Sequence, residues 1–128
     1  MATTPRFTGE AGKDNTERLV KNDYQTPAYA ATLTIVPKAN IGKTLVIPAT
    51  LTGAVTLNIG VGSATTDPFI GDAMTFILTS DTTSRTVTFG TGITATSVSI
   101  APAISKSATI TFVFNGTAWM EVSRAVQA

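Results

Sequence analysis

A chain of 128 residues with no cysteine and no histidine, in which nine Lys and Arg face eight Asp and Glu, fits one domain and excludes disulfides, zinc fingers and thiol enzymes. The net charge is +1, and the body cations Lys38, Lys43, Arg85, Lys106 and Arg124 stand singly, so the basic cluster that a phosphate backbone demands is missing and no nucleic acid is expected as a partner. No window approaches the run of about 18 apolar residues of a membrane helix, and Met1-Ala2-Thr3-Thr4-Pro5-Arg6 lacks a signal peptide's apolar stretch, so the expected setting is a cytoplasm, with no membrane partner.

Eight of the seventeen charged side chains fall within the first twenty-four residues. Residues 1–29 also carry Pro5, Gly9, Gly12 and Pro27, with Phe7, Leu19, Val20, Tyr24 and Tyr29 at no sustained period. A polar segment of this kind cannot bury enough surface to fold alone, which predicts an extended arm that lies on something else. Within it Asp14 and Glu17 have the spacing of a capping box, which allows a short helix over 15–21.

From Ala30 the period becomes two. Thr32-Leu33-Thr34-Ile35 and Lys43-Thr44-Leu45-Val46-Ile47 read as strands, stopped by Pro37 and Pro48. Val55 to Val61 is apolar at every odd position, the mark of a half-buried strand. After a loop over 62–71, Met74 to Leu78 is apolar on both faces and is expected to be central. Arg85 to Phe89, Ser97 to Ile100, and Ser107 to Phe114 follow, and Asn115-Gly116 predicts a type I′ hairpin into a last strand, Thr117 to Arg124. Trp119 and Glu121 should share one face of that strand and Met120 and Val122 the other, so that Phe112, Phe114, Trp119, Met120 and Val122 are assigned to the core or to an oligomer interface.

These elements predict an all-β fold: an antiparallel sandwich of about eight strands, jelly-roll-like, over 30–128, with the extended N-terminal arm over 1–29. The repeated Thr-apolar pairs have the strand period only, and no repeat of about 20 residues or more suggests a solenoid. Charged residues are 13% of the chain, about half the usual share, and twenty-five threonines supply the wet surface instead.

Little in the sequence points to catalysis. Body carboxylates are Asp67, Asp72, Asp81 and Glu121, and only Asp67 and Asp72 lie near one another. Two aspartates on one loop are better explained as turn formers than as a calcium site, which takes roughly six to eight oxygens, so no metal and no cofactor are expected. A glycosidase would need a converging carboxylate pair that the spacing does not show. Gly90-Thr91-Gly92 follows a strand but precedes no helix with a lysine, so it is not a phosphate loop. Asn115-Gly116-Thr117 fits a glycosylation acceptor, yet serves better as the hairpin turn. Trp119 could stack on a sugar, although a lone strand tryptophan facing Phe112 or Phe114 is more often core. The protein is read as a non-enzyme.

The segment Phe112-Val113-Phe114-Asn115-Gly116-Thr117-Ala118-Trp119-Met120-Glu121-Val122-Ser123-Arg124, with the earlier Thr86-Val87-Thr88-Phe89-Gly90-Thr91-Gly92, resembles the closing hairpins of tailed-bacteriophage head-decoration, head-fibre and tail-fibre modules. The resemblance implies a homotrimeric β-sandwich on the outer surface of a virion, made in the host cytoplasm. The polar arm favours the capsid, with the major capsid protein as partner: Arg6, Lys13, Arg18 and Lys21 would pair with its carboxylates while Phe7, Leu19 and Tyr24 fill shallow pockets. The function so implied is that of a cement protein; the alternative is a fibre module that contacts host glycans through loops around 62–71 and 90–96.

Overall fold

The computed structural model describes residues 22–38, 41–60 and 68–128, and every structural statement below concerns those residues. They form strands and connections only, with no helix. Ten strands are present: β1 (Asn22–Gln25), β2 (Thr32–Ile35), β3 (Lys43–Val46), β4 (Val55–Ile59), β5 (Ala73–Thr79), β6 (Val87–Phe89), β7 (Ile93–Thr94), β8 (Ser99–Ile100), β9 (Ser107–Phe114) and β10 (Trp119–Val126). The arrangement is all-β and two-layered, with a six-stranded sheet ordered β1-β3-β5-β9-β10-β7 facing a four-stranded sheet ordered β2-β4-β6-β8.

The expected antiparallel sandwich is corrected at the level of pairing. β1 with β3, β3 with β5, β2 with β4, β4 with β6, and β7 with β10 are parallel; β5 with β9, β9 with β10, and β6 with β8 are antiparallel. The cause is that the chain changes sheet after every strand from β1 to β9. Up to β7 a strand returning to its own sheet has crossed the molecule twice and runs in its original direction, whereas β8 and β9 return antiparallel to β6 and β5. Parallel neighbours need a connection of about a dozen residues or more, commonly a helix, and here the crossing strand of the opposite sheet supplies it. The winding is therefore coil-like. Its turns are unequal: Asn22, Lys43 and Ala73 occupy one row of the sheet although the second follows the first by 21 positions and the third by a further 30. No fixed sequence period marks such a coil.

Period-two patterning places the core as the sequence indicated. β4 turns Val55, Leu57 and Ile59 inward; β5 contributes Met74, Phe76 and Leu78, and β9 contributes Ala108, Ile110, Phe112 and Phe114. Phe112 is the aromatic centre, meeting Phe76 and Phe89 edge-on at ring-centroid distances of 5.9 and 5.7 Å. Trp119 is 1% exposed and tilts against Phe114 at 5.4 Å, so it is a core residue and unavailable for stacking on a sugar.

Two further corrections concern the chain ends of the pattern. β1 and Tyr29 lie within the segment assigned to the arm, yet β1 pairs with β3, and Tyr29 packs on the core and donates its hydroxyl to the Ala54 carbonyl at 3.0 Å. The body thus extends back to Asn22. The helix suggested over 15–21 lies outside the described residues. The Asn115-Gly116 turn exists but is not type I′: only Gly116 has positive φ, at 103°, while Asn115 Oδ1 accepts the Thr117 and Ala118 N–H groups, each at 2.9 Å. The asparagine side chain does the work that a backbone carbonyl does in a type I′ turn.

Phe112→Ala should destabilise the fold by about 3–5 kcal/mol in urea unfolding, whereas Tyr24→Ala, on an exposed edge, should shift stability by less than about 0.5 kcal/mol.

Candidate functional site

The two sheets present different surfaces outward. The four-stranded sheet turns out Thr32 and Thr34 from β2, Thr56 and Asn58 from β4, and Thr88 from β6. The six-stranded sheet shows three successive rows: Asn22, Lys43, Ala73, Val113 and Met120; then Tyr24, Leu45, Thr75, Thr111 and Ser123; then Ile77, Thr109 and Ala125. Lys43 is the one formal charge in these rows. Two hydroxyl pairs on this face are each joined by one hydrogen bond, Thr75 with Thr111 at 3.0 Å and Thr79 with Ser107 at 2.7 Å. Covering them therefore removes less hydrogen bonding to water than free hydroxyls would lose.

At one end of this face the starts of β1, β3 and β5 lie side by side, which puts Asn22 two strand spacings, roughly 10 Å, from Ala73. An open groove of about 410 Å³ runs between them, lined by Asn22, Lys43, Thr44, Leu45, Ala73 and Thr75. Beside it stands an apolar tip. Asp72 is buried, accepts the Phe69 N–H on its carboxylate at 2.9 Å and donates its own N–H to the Phe69 carbonyl at 3.0 Å. Gly71 has φ of 96° and bonds to the Phe114 carbonyl. The tight turn so formed leaves Phe69 and Ile70 projecting, at 46% and 77% exposure. Asp72 thus acts as a turn former, while Asp67 lies outside the described residues; among those described, no group of three or more Asp and Glu could hold a metal.

Of the residues assigned to partner binding, Arg6, Phe7, Lys13, Arg18, Leu19 and Lys21 lie outside the described residues. Tyr24 is exposed on β1, level with Leu45. Phe112, Phe114 and Trp119 are core, whereas Met120 and Val122 are exposed.

A feature that sequence reasoning missed lies on β10. Residues three apart on a regular strand face opposite ways, so Glu121 and Arg124 read as unrelated. A β-bulge after Glu121 inserts Val122, so that Glu121 stands opposite Phe112 and Arg124 opposite Ile110, both on the inward side. Arg124 then grips the carboxylate with two bonds, Nε to Oε2 at 2.7 Å and Nη2 to Oε1 at 2.8 Å. Thr96 donates its N–H and hydroxyl to Oε1, Arg124 Nη1 donates to the Ser99 carbonyl, and the guanidinium lies 5.7 Å from the Phe89 ring centroid. The group seals the side of the sandwich where 93–100 crosses over. Hydrogen bonding to Arg124, above all, brings the Glu121 carboxyl down to about 2 against the opposing effect of burial, with Thr96 adding to the drop. At the other end, the Arg85 guanidinium similarly holds Asp81 below its ordinary value.

No family model matches this chain, and no curated protein matches it.

Because folding depresses the Glu121 pKa, its contribution to stability is complete above the unfolded value, near 4.5, and is lost as pH falls from there toward about 2. Glu121→Gln should accordingly cost on the order of 2 kcal/mol at neutral pH and flatten the acid limb of the stability profile, read by urea titrations across that range.

Proposed function

We propose that this chain is a tailed-bacteriophage virion protein, a capsid-decoration or cement protein that binds the assembled head as a homotrimer and is anchored by its N-terminal arm. The observation that carries the reading is the contrast between the two outward faces. One sheet presents hydroxyl and amide groups suited to water. The other presents Leu45, Ala73, Ile77, Val113 and Met120 around hydroxyls that are hydrogen-bonded in pairs. Such rows lose little by being covered, and further copies of the chain would supply the cover: Lys43 is the one formal charge in them, so copies meet without appreciable repulsion. Met120 and Val122, exposed on β10, belong to this contact.

The same register supports a reading of which end faces the capsid. The arm joins the body at Asn22, beside the groove and the Phe69–Ile70 tip, so arm and tip address one partner surface together. The resemblance of the β9–β10 hairpin to phage head and tail modules supplies the identity of that partner, the major capsid protein. The mechanism is stabilisation by selective binding: a ligand of the assembled shell that has no affinity for separated subunits raises shell stability by mass action. Trimerisation multiplies three arm contacts through effective concentration. No catalytic step or cofactor enters. The fibre alternative draws on the loops at 62–71 and 90–96; most of the first lies outside the described residues, and in the second Thr96 is engaged by Glu121 and a Cβ on Gly92 would meet the Ile59 carbonyl, contacts that serve the fold.

Light scattering should give a mass near three chains, and the pair Thr111→Arg with Met120→Arg should give a folded monomer whose apparent capsid affinity is lower by roughly 100-fold or more. Removal of residues 1–21 should leave a folded trimer that no longer sediments with capsids. A monomeric wild type would overturn the assembly, and undiminished co-sedimentation of the truncated protein would overturn the anchor.

A further inference from the structure

The turn between β9 and β10 holds an exposed Asn-Gly pair whose side-chain oxygen is fixed by two backbone donors. We propose that Asn115 is a self-modification site, at which the folded protein converts the side-chain amide, through a succinimide formed with the Gly116 nitrogen, into aspartate and isoaspartate. The electrophile is held: Asn115 Oδ1 accepts the N–H groups of Thr117 and Ala118, both at 2.9 Å. Two donors at the oxygen where negative charge develops stabilise a tetrahedral intermediate as an oxyanion hole does. The nucleophile is free, since the Gly116 N–H has no hydrogen-bond partner among the described residues, and glycine has no side chain to shield it. The leaving nitrogen, Nδ2, is likewise unengaged among those residues, and 115–117 are exposed to the water the reaction needs.

The steps balance. Solvent base removes the Gly116 amide proton and the nitrogen attacks Cγ, forming the N–Cγ bond of a tetrahedral intermediate; the proton is returned from solvent to Nδ2 as the Cγ–Nδ2 bond breaks, releasing ammonia. Water then opens the ring. Cleavage of N–Cγ leaves aspartate in a normal backbone; cleavage of the bond from that nitrogen to the Asn115 carbonyl carbon leaves isoaspartate, whose main chain is longer by one methylene. Asn58 supplies an internal contrast. Its Oδ1 also accepts a backbone N–H, from Thr91, but the nitrogen that would attack, on Ile59, is tied to the Thr91 carbonyl at 3.0 Å within a strand.

A Cβ at Gly116 would lie 3.3 Å from Ile70, so the turn supports the apolar tip, and the new carboxylate appears directly beside it. The functional consequence, a progressive loss of docking with age, rests on the reading of that end as the capsid-facing one; the chemistry does not.

The test follows the intact full-length protein in neutral and mildly alkaline buffer, folded and in urea, by peptide mapping with enzymatic isoaspartate labelling. Position 115 should accumulate aspartate and isoaspartate, faster in alkali and at least as fast folded as unfolded, while Asn58 stays unchanged in the folded sample. Asn115 remaining intact in the folded protein while the urea-unfolded chain converts would overturn the proposal. Gly116→Ala should slow the folded reaction roughly tenfold, and an unchanged rate would also overturn it. Because that variant strains a positive φ, Asn115→Ser provides the second control: its hydroxyl keeps an acceptor at the turn, and with no side-chain carbonyl carbon to attack it should fold and gain no isoaspartate label, whereas label at that position would overturn the proposal.

Discussion

Everything in this molecule depends on one shared apolar layer between two sheets that the chain builds simultaneously. Since successive strands alternate between sheets, neither sheet is a contiguous stretch of sequence, and neither can bury its inward residues without the other. Leu57 of one sheet and Phe76 and Phe112 of the other are all fully buried, and no local segment brings them together. A hairpin-built sandwich can form part of itself from neighbouring strands. This one obtains its first parallel pair only after the chain has crossed the core and returned.

The same layer explains the unusual chemistry at its margin. β10 lies next to last in the larger sheet, beside the two-residue β7, and there the inward-facing Glu121 is a nearly buried carboxylate that needs a partner. The bulge at Val122 resolves this by turning Arg124 inward to meet Glu121. With Thr96 and the Ser99 carbonyl completing the set, the carboxylate is nearly enclosed, its side chain 3% exposed, with three hydrogen bonds to Oε1 and one to Oε2. Such a pair is a poor source of net stability but a strong constraint on geometry, because leaving either member alone would bury an uncompensated charge. It fixes the crossover at 93–100 against β10.

Much of the strand content was legible because Thr32–Ile35, Val55–Ile59 and Ser107–Phe114 alternate cleanly between β-branched polar and apolar residues, and alternation reports one buried face directly. β1 was not, since Asn22-Asp23-Tyr24-Gln25 is a polar edge strand with no buried stripe, and β7 is only two residues long. Strand direction was invisible: alternation says which side chains face inward, and the same pattern serves parallel and antiparallel neighbours alike. For the candidate site, Met120 and the core aromatics could be assigned from the face of a strand. The Glu121–Arg124 grip could not, because a single inserted residue reverses the phase on which that assignment rests. Nor could the apolar character of one whole sheet face, which depends on register across β1, β3, β5, β9 and β10, strands scattered over a hundred positions.

The place of β9 in the sheet order carries a consequence for synthesis. It lies between β5 and β10, in the middle of the larger sheet, although eight of the described strands precede it in the sequence. Until it emerges, β5 is an open edge with half its ladder groups unpaired, and the aromatic centre lacks Phe112. The nascent chain must therefore wait, with three parallel coils incomplete, for its C-terminal hairpin to insert and commit the fold. Structures dominated by distant pairings fold in milliseconds to seconds. A ribosome that stalls or terminates before Phe114 would release an adhesive half-sheet, which makes the C-terminal hairpin the checkpoint of this protein's biogenesis.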